Sequence, residues 1–162
     1  MELTMVLLIL GLVSAAVALN VRAPAAQVGM KACVDDVVAF DRLTRTMACE
    51  LDRPLRLVVD LGAGQLRRTD ERGGAEEGRI LTIPSGYRLT DLRLAGRSVP
   101  GGAALNCSAR GLMPTYAVLV EGPGGVKQWV LLAGLTGQEW KPKDEREVQD
   151  ILRTIEAWPD AG

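Results

Sequence analysis

The chain has 162 residues, which is enough for one globular domain and an additional segment. Its formal net charge is −1 and it contains no histidine, so it lacks a broad electrostatic attraction to nucleic acid, the usual general base and the commonest zinc ligand. Aromatic residues make up only 4% of the chain, which is too few for a base-stacking surface. We therefore expect no enzymatic activity, no cofactor, no metal site and no nucleic-acid partner.

The N-terminal segment carries no charge between Glu2 and Arg22. A helix rises 1.5 Å per residue and the hydrocarbon core of a bilayer is about 30 Å thick, so residues 3–21 are just long enough to cross it. A secretory signal peptide would need a basic region ahead of the apolar run, and none is present. Residues 1–22 therefore predict a transmembrane helix.

Glu2 lies at the edge of this apolar helix. A carboxylate there is costly in lipid and usually has a dedicated partner. Alternatively, Glu2 lies at the membrane interface, where the helix dipole favours an acidic side chain.

Residues 23–53 predict an amphipathic helix that continues from the first one. Apolar or small residues recur at alternating steps of three and four, at Met30, Cys33, Val37, Phe40, Thr44, Met47 and Leu51, flanked by Val34, Leu43 and Ala48. Polar residues are expected on the opposite face, at Asp35, Arg42, Arg45 and Thr46. This pattern is typical of a helix that packs one face on a sheet and exposes the other. Arg53 and Pro54 are expected to end it.

Residues 54–140 contain short apolar runs separated by glycine-rich turns. The predicted strands are 55–61, 65–68, 79–83, 88–94, 104–107, 116–121 and 126–133. Strands that follow one another across short turns favour antiparallel pairing. The predicted fold is therefore α+β, with a long N-terminal helix packed on a small antiparallel β-sheet and an extra C-terminal helix.

Residues 141–162 predict that extra helix and a tail. Asp144 and Glu147 have the spacing of a capping box. One apolar face is formed by Val148, Ile151, Leu152, Ile155 and Trp158. This face is expected to pack on the chain's own sheet; the alternative is that Ile151, Ile155 and Trp158 dock a neighbouring subunit, with Trp158 as the anchor.

The three cysteines are Cys33, Cys49 and Cys107. Cys33 and Cys49 are sixteen residues apart on one predicted helix, about 24 Å along its axis, and cannot form a disulfide with each other. A disulfide would have to include Cys107, with Cys33 as the favoured partner. Otherwise Cys33 and Cys107 are buried free thiols, and Cys49 is an exposed thiol able to form an intermolecular bridge.

Four segments carry a resemblance to a known family: residues 2–12, 52–62, 83–87 and 133–138. The first, Glu2-Leu-Thr-Met-Val-Leu-Leu-Ile-Leu-Gly-Leu12, resembles the start of type IV pilin-like proteins. The others, among them Ile83-Pro-Ser-Gly-Tyr87, resemble strand junctions of minor pseudopilins of the GspH/FimT type. By this resemblance Glu2 matches the glutamate at the fifth position of mature pilins.

The basic leader, the glycine before the cleavage site and the methylated phenylalanine of that family do not precede Glu2. Positive charge normally marks the cytoplasmic side of a span, yet Arg22 and Lys31 follow it. We therefore expect the true start to lie upstream, with an internal codon read as Met1.

The resemblance implies a minor pseudopilin, a structural subunit of a periplasmic type II secretion pseudopilus that serves protein export. It implies a single-pass inner-membrane location with a periplasmic head and other pilins or pseudopilins as partners through the N-terminal helix. If the upstream leader exists, it also implies processing by a prepilin peptidase. Glu2 would pair with the N-terminal ammonium of a neighbour. Two alternatives stay open, a FimT-like minor pilin of a type IV pilus with a role in DNA uptake, and an unrelated single-pass envelope protein with a β-rich binding domain.

Overall fold

The computed structural model describes residues 27–70 and 79–156. The predicted transmembrane segment, Glu2 and Trp158 lie outside these residues. The described residues contain two α-helices, α1 (residues 27–50) and α2 (Glu145–Glu156), and a short 3-10 helix (Pro123–Gly125). Within the described residues, neither α-helix is both long enough and apolar enough to cross a membrane.

The described strands are β1 (Leu55–Asp60), β2 (Gln65–Asp70), β3 (Ile80–Thr82), β4 (Arg88–Leu94), β5 (Arg97–Ser98), β6 (Gly102–Cys107), β7 (Tyr116–Glu121), β8 (Lys127–Leu132) and β9 (Glu139–Trp140). They form two sheets, where a single sheet was expected. One has the order β3-β2-β1-β6 and the other the order β5-β4-β7-β8-β9. Every pairing is antiparallel, as predicted. The chain is thus α+β, with α1 packed on antiparallel sheets.

Helix α1 is amphipathic, and its buried face extends beyond the predicted one to Val38, Asp41 and Arg45. The prediction that Leu51 belongs to this face is wrong, because this residue follows the last helical turn and is 45% exposed. The buried positions are Met30, Cys33, Val34, Val37, Val38, Phe40, Asp41, Thr44, Arg45 and Ala48. Asp35, Arg42 and Thr46 are exposed as expected. The prediction that Arg45 faces solvent is wrong, because this residue is only 8% exposed.

The C-terminal end of α1 is a Schellman motif. Asp52 has a φ of 45°, in the left-handed region. The Asp52 N–H donates to the Cys49 carbonyl at 3.2 Å, and the Arg53 N–H donates to the Ala48 carbonyl at 3.2 Å. These bonds satisfy the last helical carbonyls, so the helix ends at residue 50, before the predicted end at Arg53.

The main core joins α1 to both sheets. β1 alternates buried Leu55, Leu57 and Val59 with half-buried residues, so one face of this strand points inward. In the other sheet, Leu92 and Val118 belong to the same buried cluster as Val37 of α1. Burial of these side chains from three elements is the main force that holds the sheets on the helix.

A second, smaller core lies between the other face of the second sheet and α2. Ala117, Trp129 and Leu131 pack there with Val148 and Leu152 of the helix. This confirms that α2 covers the chain's own sheet.

The start of α2 is capped as predicted. The Glu147 N–H donates to Asp144 Oδ1 at 2.9 Å, and the Lys143 N–H donates to Glu147 Oε2 at 2.8 Å. The first bond satisfies a backbone donor of the first helical turn. The second goes to the residue before the cap Asp144, so the arrangement is a variant of the capping box.

Candidate functional site

Asp41 and Arg45 of α1 form a buried ion pair, and Tyr116 of β7 is hydrogen-bonded to it. Arg45 Nε donates to Asp41 Oδ2 at 2.7 Å, and the Tyr116 hydroxyl donates to Asp41 Oδ1 at 2.9 Å. Asp41 and Tyr116 have no exposed surface. Both carboxylate oxygens therefore have a donor, and the buried negative charge has a matching cation.

Arg45 also connects α1 to two loops. Its Nη1 donates to the Gly134 carbonyl at 2.6 Å and to the Gly111 carbonyl at 3.2 Å. The Gly137 position is close as well, since a Cβ there would lie 3.4 Å from Arg45 Cδ. Arg45 thus fixes the loops after β6 and after β8 against the helix.

The electrostatics of this cluster keep Tyr116 protonated. Burial raises the pKa of Tyr116 well above its ordinary range, and the charge and hydrogen bond of Asp41 raise it further. The hydroxyl therefore acts as a hydrogen-bond donor to Asp41. Arg45 Nη2, in contrast, is buried without a hydrogen-bond partner among the described residues. We interpret the cluster as an architectural clamp.

The contacts among Asp41, Arg45 and Tyr116 were not predicted from the sequence. Asp41 and Arg45 have the i, i+4 spacing of a helical ion pair, which was the available signal. Tyr116 lies 75 residues from Asp41 in the sequence, and no local pattern connects them.

All three cysteines are free thiols. Cys33 and Cys107 are buried and Cys49 is exposed, which agrees with the expected positions. Burial, with a smaller contribution from Asp36, raises the pKa of Cys33 to about 11. Burial also raises the pKa of Cys107. Neither buried thiol is an activated nucleophile at neutral pH.

A mostly apolar groove of about 510 Å³ lies between α2 and the loop after β8. Two of the three side chains proposed for partner docking, Ile151 and Ile155, line it. Leu135 lines it from the loop and is 79% exposed. The structure thus brings Ile151 and Ile155 together at one surface, while Trp158 lies outside the described residues.

Solved structures with a similar fold include minor pseudopilins. The chain is similar to the minor pseudopilin EpsH from the type 2 secretion system of Vibrio cholerae, with a TM-score of 0.52 and 14% sequence identity. The likeness covers 72% of this chain and 98% of that structure. A second crystal structure of EpsH matches with a TM-score of 0.48 and 13% identity, over 67% of this chain and 92% of that one. No family model matches, and no curated protein matches significantly.

The described residues therefore have the fold of a GspH-like minor pseudopilin. The fold implied by the sequence resemblance to minor pseudopilins is thus confirmed.

Proposed function

We propose that this chain is a minor pseudopilin, a structural subunit of a type II secretion pseudopilus that serves protein export. The observation that carries the proposal is the likeness to EpsH, which extends over 98% of that structure. The apolar segment supports it independently, because residues 3–21 precede α1 in the sequence and have the length of a membrane span.

The subunit is held in the inner membrane by residues 1–22, with its folded domain in the periplasm, until it enters the filament. If a leader is encoded upstream, a prepilin peptidase removes it. In the filament, the apolar helices of neighbouring subunits pack together and exclude water.

The subunit has no catalytic role in this proposal. The acidic, basic and phenolic groups of the clamp are bonded to one another, and Cys33 and Cys107 are buried thiols. Without histidine in the chain, these groups have no partner for acid–base or nucleophilic chemistry. The function is therefore assigned to assembly.

Glu2 guides this assembly by pairing with the N-terminal ammonium of a neighbouring subunit. An ion pair between two groups that leave water together fixes the register of the helices, because a misplaced carboxylate would remain buried without a partner.

The test is complementation of a strain that lacks the gene, using Glu2→Ala and wild type. We expect Glu2→Ala to abolish incorporation into sheared filaments and to reduce secretion, while the purified protein keeps its circular dichroism spectrum. Glu50→Ala is the matched control, since it makes the same chemical change at an exposed position of α1. Normal incorporation of Glu2→Ala would refute the assigned role of Glu2.

A further inference from the structure

Cys107 lies against one stripe of α1. It is the last residue of β6, and its side chain is fully buried. The groups that act electrostatically on its thiol include Asp41, Arg45 and Cys49. These residues follow one another at steps of four, so they lie on one side of the helix. Cys107 therefore faces the part of α1 that ends with Cys49.

Cys49 lies against the turn that starts directly after Cys107. A Cβ at Gly111 would lie 3.0 Å from Cys49 Sγ. The Gly111 N–H donates to the Ser108 carbonyl at 2.9 Å, which closes this turn. Cys107 Sγ is in turn 3.7 Å from the same Ser108 carbonyl. The two sulfur atoms thus contact the same short turn.

Cys33 has different surroundings. Asp36, one turn further along α1, is the charged group that acts on its thiol. Cys33 and Cys49 are sixteen positions apart on α1, which corresponds to about 24 Å of helix. Cys49, at the end of α1, is therefore the better placed partner for Cys107, in contrast to the pairing favoured from the sequence.

We propose that Cys49 and Cys107 form an intramolecular disulfide when the folded domain is in an oxidising compartment. The biological setting rests on the proposed function, which places this domain in the periplasm. The bond would join the C-terminal end of α1 to β6 and close a loop that contains β1 to β5.

The reaction is thiol–disulfide exchange with an oxidised protein disulfide or a low-molecular-weight disulfide. The exposed Cys49 thiolate attacks the oxidant, forms a mixed disulfide and releases one thiolate. Cys107 then loses its proton and attacks Cys49 Sγ, which releases the second thiolate. The two cysteines lose two electrons and two protons, and the oxidant's disulfide becomes two thiols.

The test uses the purified full chain in detergent micelles, equilibrated with oxidised and reduced glutathione. Free thiols are alkylated after denaturation, and the non-reduced tryptic peptides are analysed by mass spectrometry. Trypsin separates the three cysteines into three peptides. We expect a cross-linked pair that contains Cys49 and Cys107, with Cys33 alkylated. Alkylation of all three cysteines, a bond between Cys33 and Cys107, or a dimer linked through Cys49 would overturn the proposal.

Thermal unfolding provides a second measurement. A disulfide that closes a long loop restricts the unfolded chain, so we expect reductant to lower the Tm of the wild type by about 5–15 °C. The same reductant should leave the Tm of Cys49→Ser unchanged and should still lower that of Cys33→Ala. An equal response in Cys49→Ser and wild type would contradict the assigned bond. Both measurements are independent of secretion, so their failure would leave the filament role of Glu2 untouched.

Discussion

Arg45 Nε lies 2.7 Å from Asp41 Oδ2, one helical turn away and inside the folded domain. Burying two charges costs solvation energy, which their attraction and their other hydrogen bonds must offset. Tyr116 and the Gly111 and Gly134 carbonyls supply those additional bonds. The clamp therefore couples α1, β7 and two loops, and each of its members should be sensitive to substitution.

Arg45→Ala should be strongly destabilising because it leaves the Asp41 carboxylate buried without a cation. We expect a loss of about 3–5 kcal/mol in the free energy of unfolding. Arg42→Ala is the matched control, since the Arg42 side chain is 60% exposed in its ion pair with Glu139 and should contribute less than about 1 kcal/mol. Equilibrium unfolding of both variants checks this, and similar losses would contradict the clamp.

Tyr116→Phe should lower stability at neutral pH by about 1.5–3 kcal/mol, because it removes the hydroxyl that donates to a charged group. The effect should depend on pH. Burial and Asp41 raise the pKa of Tyr116 in the folded state, whereas the unfolded tyrosine titrates near its ordinary value of about 10.

The folded state thus retains a proton that the unfolded state loses above pH 10. The contribution of this proton is fully present below that pH and is lost as the pH rises toward the folded pKa. The stability difference between wild type and Tyr116→Phe should therefore shrink by about 1.4 kcal/mol per pH unit above pH 10. Unfolding measured from pH 8 to pH 11 checks this, and a constant difference would show that Tyr116 does not titrate differently in the two states. Cys33, whose pKa burial raises to about 11, is present in both proteins and cancels in the comparison.

Gly102→Ala should destabilise the first sheet. A Cβ at this position would overlap the Val59 carbonyl, and the Gly102 φ of 117° is unfavourable for other residues. Gly101→Ala is the control, because its φ of 81° is also positive but no atom lies within 4 Å of the added Cβ. We expect a larger decrease in Tm for Gly102→Ala than for Gly101→Ala. Equal decreases would mean that backbone strain alone, without the contact to β1, determines the cost.

The groove beside α2 should contact a neighbouring subunit if Ile151 and Ile155 serve partner docking. A photo-reactive residue at Leu135, which is 79% exposed on the groove, should then cross-link to another filament subunit in cells. The same residue at Ile80, which is 52% exposed on β3, is the control and should cross-link less. Cross-linking that is absent at Leu135, or equal at both positions, would argue against docking there.

Local sequence patterns predicted most of the strands. β4 and β7 have the predicted bounds, because glycine or proline residues flank each run at both ends. β5 and β9 were not predicted, since two-residue strands such as Arg97–Ser98 have no periodicity to detect. The division into two sheets was also missed because β6 pairs with the distant β1, and such a pairing leaves no local signal.

The tertiary contacts of the clamp and of the Cys49–Cys107 pair also leave no signal in the local sequence. Arg45 was assigned to the exposed face because a charged side chain on a helix normally faces water. Its burial depends on Tyr116 and on two loop carbonyls that only the tertiary structure brings together. Similarly, the proximity of Cys49 to Cys107 follows from where the turn after β6 meets the end of α1.

We propose that this chain is a subunit of a secretion filament. Deletion of the gene, followed by quantitative proteomics of the culture supernatant and the periplasm, tests it most directly. We expect exported proteins to decrease in the supernatant and accumulate in the periplasm, with recovery on complementation by wild type. An unchanged distribution of exported proteins in the deletion strain would contradict the claim.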